Sequence, residues 1–391
     1  MKRVLPVIVV SQFLCTSLWF AGNSVIGDLA NTFELTPDFL AHLTSAVQFG
    51  FISGTFVFAV FTIADRFSPS LIFFISAIMA SLFNLAICLN GIHVTELLVF
   101  RFLTGFFLAG IYPVCMKIAS DYYQEGLGMS LGFLVGALVL GTAFPHLVKT
   151  ITTQLPWRYV VYTTSILSAV GGLGMWLLVP DGPKRKTGQQ INFSAFVTGF
   201  KKPDFRAAAF GYFGHMWELY TFWAFVPVIL FTFKNQNPHV ELNIPLMSFL
   251  IIGVGSLACV FSGYASQYFG VKRTATISLL LSCLCCLASP FFLTTGSALF
   301  LVGFLFFWGL VVIADSPLFS TLVAKSAPEE SKGTSLTIVN CIGFSITIIS
   351  IQFINLLTPY LQPQFIYMVL AIGPVLGLLA LTRDKRTAKF S

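Results

Sequence analysis

Charge is what this chain has least of. Asp, Glu, Lys and Arg make up only 9% of its 391 residues, against 56% hydrophobic residues, and the mean hydropathy is +0.86. So little charge cannot cover a folded surface in water, which excludes both a soluble globule and a disordered tail. Catalytic signatures are missing as well. There is no H-E-x-x-H, no G-x-S-x-G and no Walker loop, the patterns that place a metal, a nucleophile or a phosphate cradle. An embedded protease or acyltransferase therefore has nothing to stand on, and an enzyme is not expected. No basic patch interleaved with aromatics occurs, so nucleic acid is not an expected partner despite a net charge of +7. Cysteine is present but silent. Cys15, Cys88, Cys115, Cys259, Cys283, Cys285, Cys286 and Cys341 all fall in apolar runs, where they pack as small hydrophobes. On a helix, Cys283, Cys285 and Cys286 point in different directions without a nearby His or acid, which argues against a metal site. No cofactor is implied.

What the chain does have is long apolar runs. Twelve are visible, at about 4–26, 40–62, 70–91, 95–117, 127–148, 159–179, 207–231, 245–268, 274–293, 298–323, 334–357 and 365–382. Each is long enough to cross a hydrocarbon core of ~30 Å at ~1.5 Å per helical residue. The expectation is an all-α membrane protein with twelve transmembrane helices. The first run follows Met-Lys-Arg without a small-x-small cleavage site, so it reads as a retained helix and not a signal peptide.

Basic residues orient it. Lys149, Arg158 and Lys234 fall on one side and Arg101 inside a span, leaving 18 of the 22 Lys and Arg on the side that holds both termini. By the positive-inside rule that side is cytoplasmic, in a bacterial inner membrane.

A repeat divides the chain. The loop 181–206, rich in Pro, Gly and Lys, separates a six-helix bundle at 1–180 from a second at 207–391 that ends in a short tail. Within the loop, Ile191, Phe193, Phe196, Val197 and Phe200 suit a short helix on the membrane surface or an irregular linker equally. Landmarks recur at near-constant offsets: Asp65 and Gln267 are 202 residues apart, Pro113 and Pro317 are 204 apart, and Gly128 and Gly333 are 205 apart. Parallel six-span repeats are one route by which transporter folds arise.

With these landmarks the whole chain resembles the major facilitator superfamily. That family's loop signature, Gly-x-x-x-Asp-Arg-x-Gly-Arg-Lys, is matched in the first half by Asp65 and Arg66, with Phe61 and Ser68 where glycines are expected. In the second half Gly263, Gly270, Lys272 and Arg273 match it, with Gln267 in place of the acid. The fourth-span pattern Arg-x-x-x-Gly is matched by Arg101, Gly105 and Gly110. The resemblance implies two six-helix pseudo-repeats, a cytoplasmic gate at the loop signatures, and a central cavity lined by spans 1, 4, 7 and 10. Asp65 would hold that gate against a helix N-terminus of the other half, where an acid gains ~0.3–1 kcal/mol. Span 5, with Gly128, Gly132, Gly136 and Gly141 before Pro145, partly matches the family's antiporter signature; glycines at this spacing also serve close helix packing.

Four ionisable residues lie inside spans: Arg101, His215, Glu218 and Asp315. Each costs roughly 3 kcal/mol to insert, and such groups mark pathways, relays or binding sites. Glu218 lies about 17 Å into span 7, near the midplane, and is the expected proton carrier. His215, one turn away and titrating in the working range, is placed to share the proton. Asp315 is the second acid, just before Ser316 and Pro317, where the helix should loosen; capping or structural pairing is its alternative. Arg101 cannot deprotonate, so it serves as an anchor for an anionic solute or as a fixed charge; a structural pair with Glu218 is the alternative. Trp19 and Asn23 in span 1 and Trp217, Tyr220 and Trp223 in span 7 supply an aromatic wall with hydrogen-bonding groups, suited to an organic solute of mixed polarity.

The function expected is secondary active transport of a small organic solute, coupled to protons, by alternating access. Export by antiport stands ahead of uptake of a metabolite or siderophore by symport. A metal-ion transporter using His215, Glu218 and Asp315 ranks lower, because the ligand set is sparse. The partners expected are the solute, protons and the lipid bilayer, with the protein as a monomer.

Overall fold

In lipid a backbone can satisfy its polar groups only within its own segment or a closed barrel, so apolar runs of this length become helices. The computed structural model describes residues 3–36, 38–123, 127–183, 197, 199–327 and 332–387. Most of the linker on which a surface helix was expected lies outside the described residues. Among the described residues there is no strand. Among the described residues eleven helices are long and apolar enough to cross a membrane, and a shorter apolar one, Val4–Thr16, precedes them.

The helices run in chain order as α1 (Val4–Thr16), α2 (Ala21–Ser24), α3 (Ile26–Phe33), α4 (Phe39–Val60), α5 (Ile63–Arg66), α6 (Pro69–Ala86), α7 (Val94–Leu108), α8 (Tyr112–Tyr122), α9 (Leu127–Ile151) and α10 (Arg158–Leu178). The remainder are α11 (Pro203–Gln236), α12 (Ile244–Gly253), α13 (Gly255–Phe269), α14 (Val271–Leu293), α15 (Ala298–Ala314), α16 (Ser316–Ser326) and α17 (Lys332–Leu357). A short helix α18 (Pro363–Ile366), a 3-10 turn (Tyr367–Ala371) and α19 (Ile372–Thr387) are the last among the described residues.

Two compact units emerge, Met1–Gln190 with Asn243–Ser256, and Ile191–Leu242 with Leu257–Ser391. The segment 243–256 belongs with the first unit because α12 lies along α9, so closely that a Cβ on Gly136 would stand 3.1 Å from the Ser256 carbonyl. In the first unit α4 and α7 also meet backbone to backbone. A Cβ on Gly50 would strike the Phe102 carbonyl, and one on Gly105 the Val47 carbonyl, the close approach that small residues permit in membranes. An apolar cluster that includes Leu29, Phe39, Leu43, Leu97, Trp157 and Val161 fills one end of this unit. There Lys149 on α9 pairs with Asp28 on α3 at 2.7 Å.

Several spans are not continuous, and the first departs most from expectation. Residues 4–26 were expected as one helix; instead the segment breaks at Ser17–Phe20 and again at Val25, and continues to Phe33. Hydroxyls that bond backward along a helix loosen it. Ser17 Oγ donates to the Leu14 carbonyl at 2.6 Å, and Thr16 Oγ1 donates to that of Gln12 at 2.9 Å. Spans 4 and 10 break as well, before Pro113 at Ala109–Ile111 and before Pro317 at Asp315. A proline lacks the N–H that the preceding turn would use.

Candidate functional site

Among the described residues of the second unit, the buried His215, Glu218 and Asp315 lie around the middle of α11. Glu218 is 1% exposed. Its Oε1 accepts two hydrogen bonds, from Ser282 Oγ on α14 and from Trp308 Nε1 on α15, both at 2.5 Å. One turn away His215 faces a different partner. Its Nδ1 lies 2.7 Å from Asp315 Oδ1, and both side chains are only 1% exposed. The break between α15 and α16 at Asp315 lets this carboxylate turn inward at the junction of two helices. Tyr212 and Phe319 pack beside the imidazole, with ring centroids 6.0 and 6.2 Å away. His215 Nε2 is buried without a hydrogen-bond partner among the described residues.

Two buried acids in one unit are therefore held in different ways. Glu218 accepts from two neutral donors, and Asp315 lies against an imidazole. Sequence reasoning paired His215 with Glu218 by helical spacing; the direct contact is with Asp315. Ser282 and Trp308 were missed. A signal existed for Ser282, since Ser278, Ser282 and Ser289 recur at helical spacing and are all buried. For Trp308 there was none among so many aromatics.

The aromatics of α11 divide. Trp223 packs edge-on to Tyr220 at 5.2 Å, which in turn meets Phe344 on α17 at 5.2 Å. Trp223 Nε1 is buried and has no hydrogen-bond partner among the described residues. Trp217 instead donates to the Val369 carbonyl at 3.4 Å and sits against Phe353. Nearby, Thr221 donates to Ser350 at 2.9 Å, and Ser350 donates to the Trp217 carbonyl at 2.5 Å.

In the first unit Arg101 is fully buried on α7. Its Nη1 donates to Asn84 Oδ1 at 2.9 Å, and its Nη2 to the carbonyls of Leu18 and Trp19 at 3.2 and 2.7 Å. Asn84 donates in turn to Ser165 Oγ at 2.9 Å and Thr164 Oγ1 at 3.3 Å. Both carbonyls lie in the break of the first span, where Leu18 also accepts from the Ala21 N–H at 3.4 Å. The guanidinium thus ties that break to α6 and, through Asn84, to α10. Around the break lie polar groups that carry no charge. Asn23 donates to Thr44 at 2.7 Å, and Trp19 packs on Phe51 at 4.8 Å. Gln12 on α1, Gln48 on α4 and Thr142 and His146 on α9 each bury at least one polar atom without a partner among the described residues. Neither glutamine amide makes a hydrogen bond within the described protein, although both side chains are inaccessible.

The loop signatures lie elsewhere in each unit. Asp65 on α5 pairs with Lys117 on α8 at 2.7 Å, and Lys117 reaches Asp121 at 3.9 Å. Arg66 Nε donates to Thr62 Oγ1 at 3.1 Å. Thr62 itself adopts φ 49°, a left-handed conformation that is costly for a β-branched residue. In the second unit Gly270 takes φ 84° at the start of α14, just before Lys272 and Arg273, while Gly263 has open space around it.

Long apolar helices, one of them interrupted at a buried acid, define an integral membrane protein. The chain is a member of the Major Facilitator Superfamily, whose family model matches residues 8–351. It is 31% identical over 162 residues to the niacin transporter NiaP of Acinetobacter baylyi, a match that spans 35% of this chain and 36% of that relative. Its fold is similar to the proton:xylose symporter XylE, with a TM-score of 0.75 and 14% identity, covering 96% of this chain and 94% of that one. The nucleoside transporter NupG is similar too, with a TM-score of 0.73 and 14% identity over 97% of this chain and 99% of that one. The fold is thus the expected all-α one.

Proposed function

We propose that this transporter couples proton movement to the movement of a small organic solute by alternating access. The observation that carries this reading is the buried constellation of the second unit, His215 against Asp315 at 2.7 Å with Glu218 one turn away. Buried acids in a membrane domain are expensive and serve no packing need that Leu would not meet better. His215, Glu218 and Asp315 are the proton-coupling residues of the proposal, with Glu218 as carrier and the His215–Asp315 pair as the site that senses or shares its charge.

Substrate contact is assigned to Trp19, Asn23, Trp217, Tyr220 and Trp223. Arg101 contributes by holding the broken first span in place, and its unpartnered Nε keeps direct contact with an anionic group open to test. Asp65, Arg66, Gly263, Gly270, Lys272 and Arg273 form the gate, with Asp65–Lys117 as a contact that must be broken and remade. Both termini are cytoplasmic on the count of basic residues, and the membrane is a bacterial inner membrane.

Export by antiport is the first assignment, from the glycine pattern of the fifth span. Uptake of a metabolite or siderophore by symport is the second, and the partial likeness to a niacin transporter is in keeping with a small organic solute under either assignment. Purified protein in liposomes loaded with a pH-sensitive dye tests both. Candidate solutes added outside will acidify the lumen under symport and alkalinise it under antiport. Glu218→Gln should abolish proton-driven flux and leave solute counterflow intact. Unchanged pH-driven flux in that variant would remove Glu218 as the carrier.

A further inference from the structure

Away from the buried acids, the first unit holds a set of polar side chains that its own fold leaves unbonded. Gln12 on α1, Gln48 on α4, and Thr142 and His146 on α9 are at most 2% exposed. Both amide atoms of each glutamine, the Thr142 hydroxyl and His146 Nε2 have no hydrogen-bond partner among the described residues. The helices that carry them meet around the broken first span. On α4, Thr44, Gln48, Phe51 and Thr55 recur at helical spacing and share one buried face. Thr44 accepts from Asn23 at 2.7 Å and Phe51 packs on Trp19 at 4.8 Å, so Gln48 lies between two contacts with that break. On α9, a Cβ added to Gly141 would strike Thr16 Oγ1 and the Phe13 carbonyl of α1. Thr142 is next to that crossing and His146 one turn beyond it. Gln12 is one turn before Thr16, and its carbonyl accepts from that hydroxyl at 2.9 Å. An amide taken out of water and given no partner costs free energy that a methionine of similar size would not. Buried polar atoms left unbonded on three helices of one unit call for a reason outside the fold.

We propose that Gln12, Gln48, Thr142 and His146 select the transported solute, and that they select an uncharged one with hydrogen-bond donors and acceptors together, as in a carboxamide or a polyol. This rests on the transport reading above and narrows its solute class. Each glutamine amide offers two N–H donors and an acceptor oxygen, and the threonine hydroxyl both donates and accepts. None of the four side chains is a carboxylate or an ammonium. The terminal nitrogens of Arg101 already donate to Asn84 and to the carbonyls of Leu18 and Trp19. An ion among these groups would lose its water and meet no opposite charge, whereas a neutral hydroxyl or amide exchanges its bonds to water for bonds to protein. Sites that bond a solute in this way reject analogues without the bonding group by up to ~10⁴–10⁵-fold.

Isothermal calorimetry of the purified full-length protein at neutral pH tests this with two triads that differ in charge: benzamide, benzoate and benzylamine, and sorbitol, gluconate and glucamine. At least one neutral member should bind saturably and at least about tenfold more tightly than its charged counterparts, and Gln12→Met and Gln48→Met should each weaken it about tenfold. Without solute, the thermal midpoint of both variants should equal or exceed that of wild type, because methionine relieves the unbonded amide. Gln364→Met, in the second unit, should leave affinity unchanged. Four results would each overturn the proposal. They are tighter binding of a charged member than of its neutral counterpart, no saturable binding of either neutral member up to ~10 mM, equal affinity in wild type and both glutamine variants, and a midpoint lowered by more than about 5 °C in those variants, which marks the amides as structural. Binding is read without a proton gradient, so none of these depends on Glu218 as carrier. Failure of the transport reading would show instead as binding without solute counterflow in liposomes.

Discussion

Replacing Arg101 by lysine keeps the buried charge and removes the planar fork, and the structure states what that fork holds. Three hydrogen bonds depend on it, to Asn84 Oδ1 at 2.9 Å and to the Leu18 and Trp19 carbonyls at 3.2 and 2.7 Å. A lysine ammonium is a single point on a thinner stem and can serve one of these partners, leaving two buried acceptors unmet. Hydrogen bonds to a charged group contribute about 1.5–3 kcal/mol each, so the loss is about 3–6 kcal/mol. That is a large share of a net stability of ~5–15 kcal/mol. The thermal midpoint of purified protein in detergent should drop by on the order of 10 °C. A double-mutant cycle with Asn84→Ala should then show a coupling of about 1–3 kcal/mol, because the second change removes an acceptor already lost. A midpoint within about 2 °C of wild type, together with zero coupling, would refute the positioning role and return Arg101 to direct contact with solute.

Other substitutions probe the remaining contacts. Trp308→Phe keeps the ring packing on Phe222 and Phe304 but removes the donor to Glu218; it should move the pH profile of proton-driven flux while counterflow stays near wild type. Asp65→Asn breaks the pair with Lys117, whose members are about one-fifth exposed; stability should change by less than about 1 kcal/mol. Turnover in that variant should fall more than solute affinity, and a pure affinity loss would rule out a gating role. Gly105→Val forces a side chain into the Val47 backbone and should cost at least about 1–3 kcal/mol by overpacking, read as lost folded yield. Gly263→Ala, with open space around the site, should fold as wild type does.

The apolar spans and the positions of the buried acids were legible in the chain because each depends on local composition. Hydropathy over some twenty residues decides whether a segment partitions into lipid, whatever its neighbours are. An ionisable residue inside such a run is conspicuous for the same reason. The break before Pro317 was readable too, since proline acts on its own turn; the matching break before Pro113 went unread. The break at Ser17–Phe20 was not readable, because no proline or glycine interrupts the sequence there.

Pairing is where the sequence stopped. Helical spacing put His215 beside Glu218, yet the imidazole meets Asp315, 100 residues further along, and Glu218 meets Ser282 and Trp308, 64 and 90 residues away. Arg101 was read as a solute anchor, a fixed charge or a partner of Glu218, and the fold brings it instead against carbonyls 82 and 83 residues earlier in the chain. The sequence alone determined that this protein lives in a bilayer as two runs of helices carrying a few costly polar groups, because transfer into hydrocarbon depends on each segment by itself. Only the tertiary structure decided which of those groups compensate one another, because a buried hydrogen bond depends on two atoms meeting within about 3 Å, and no local pattern encodes where a distant helix will bring its partner.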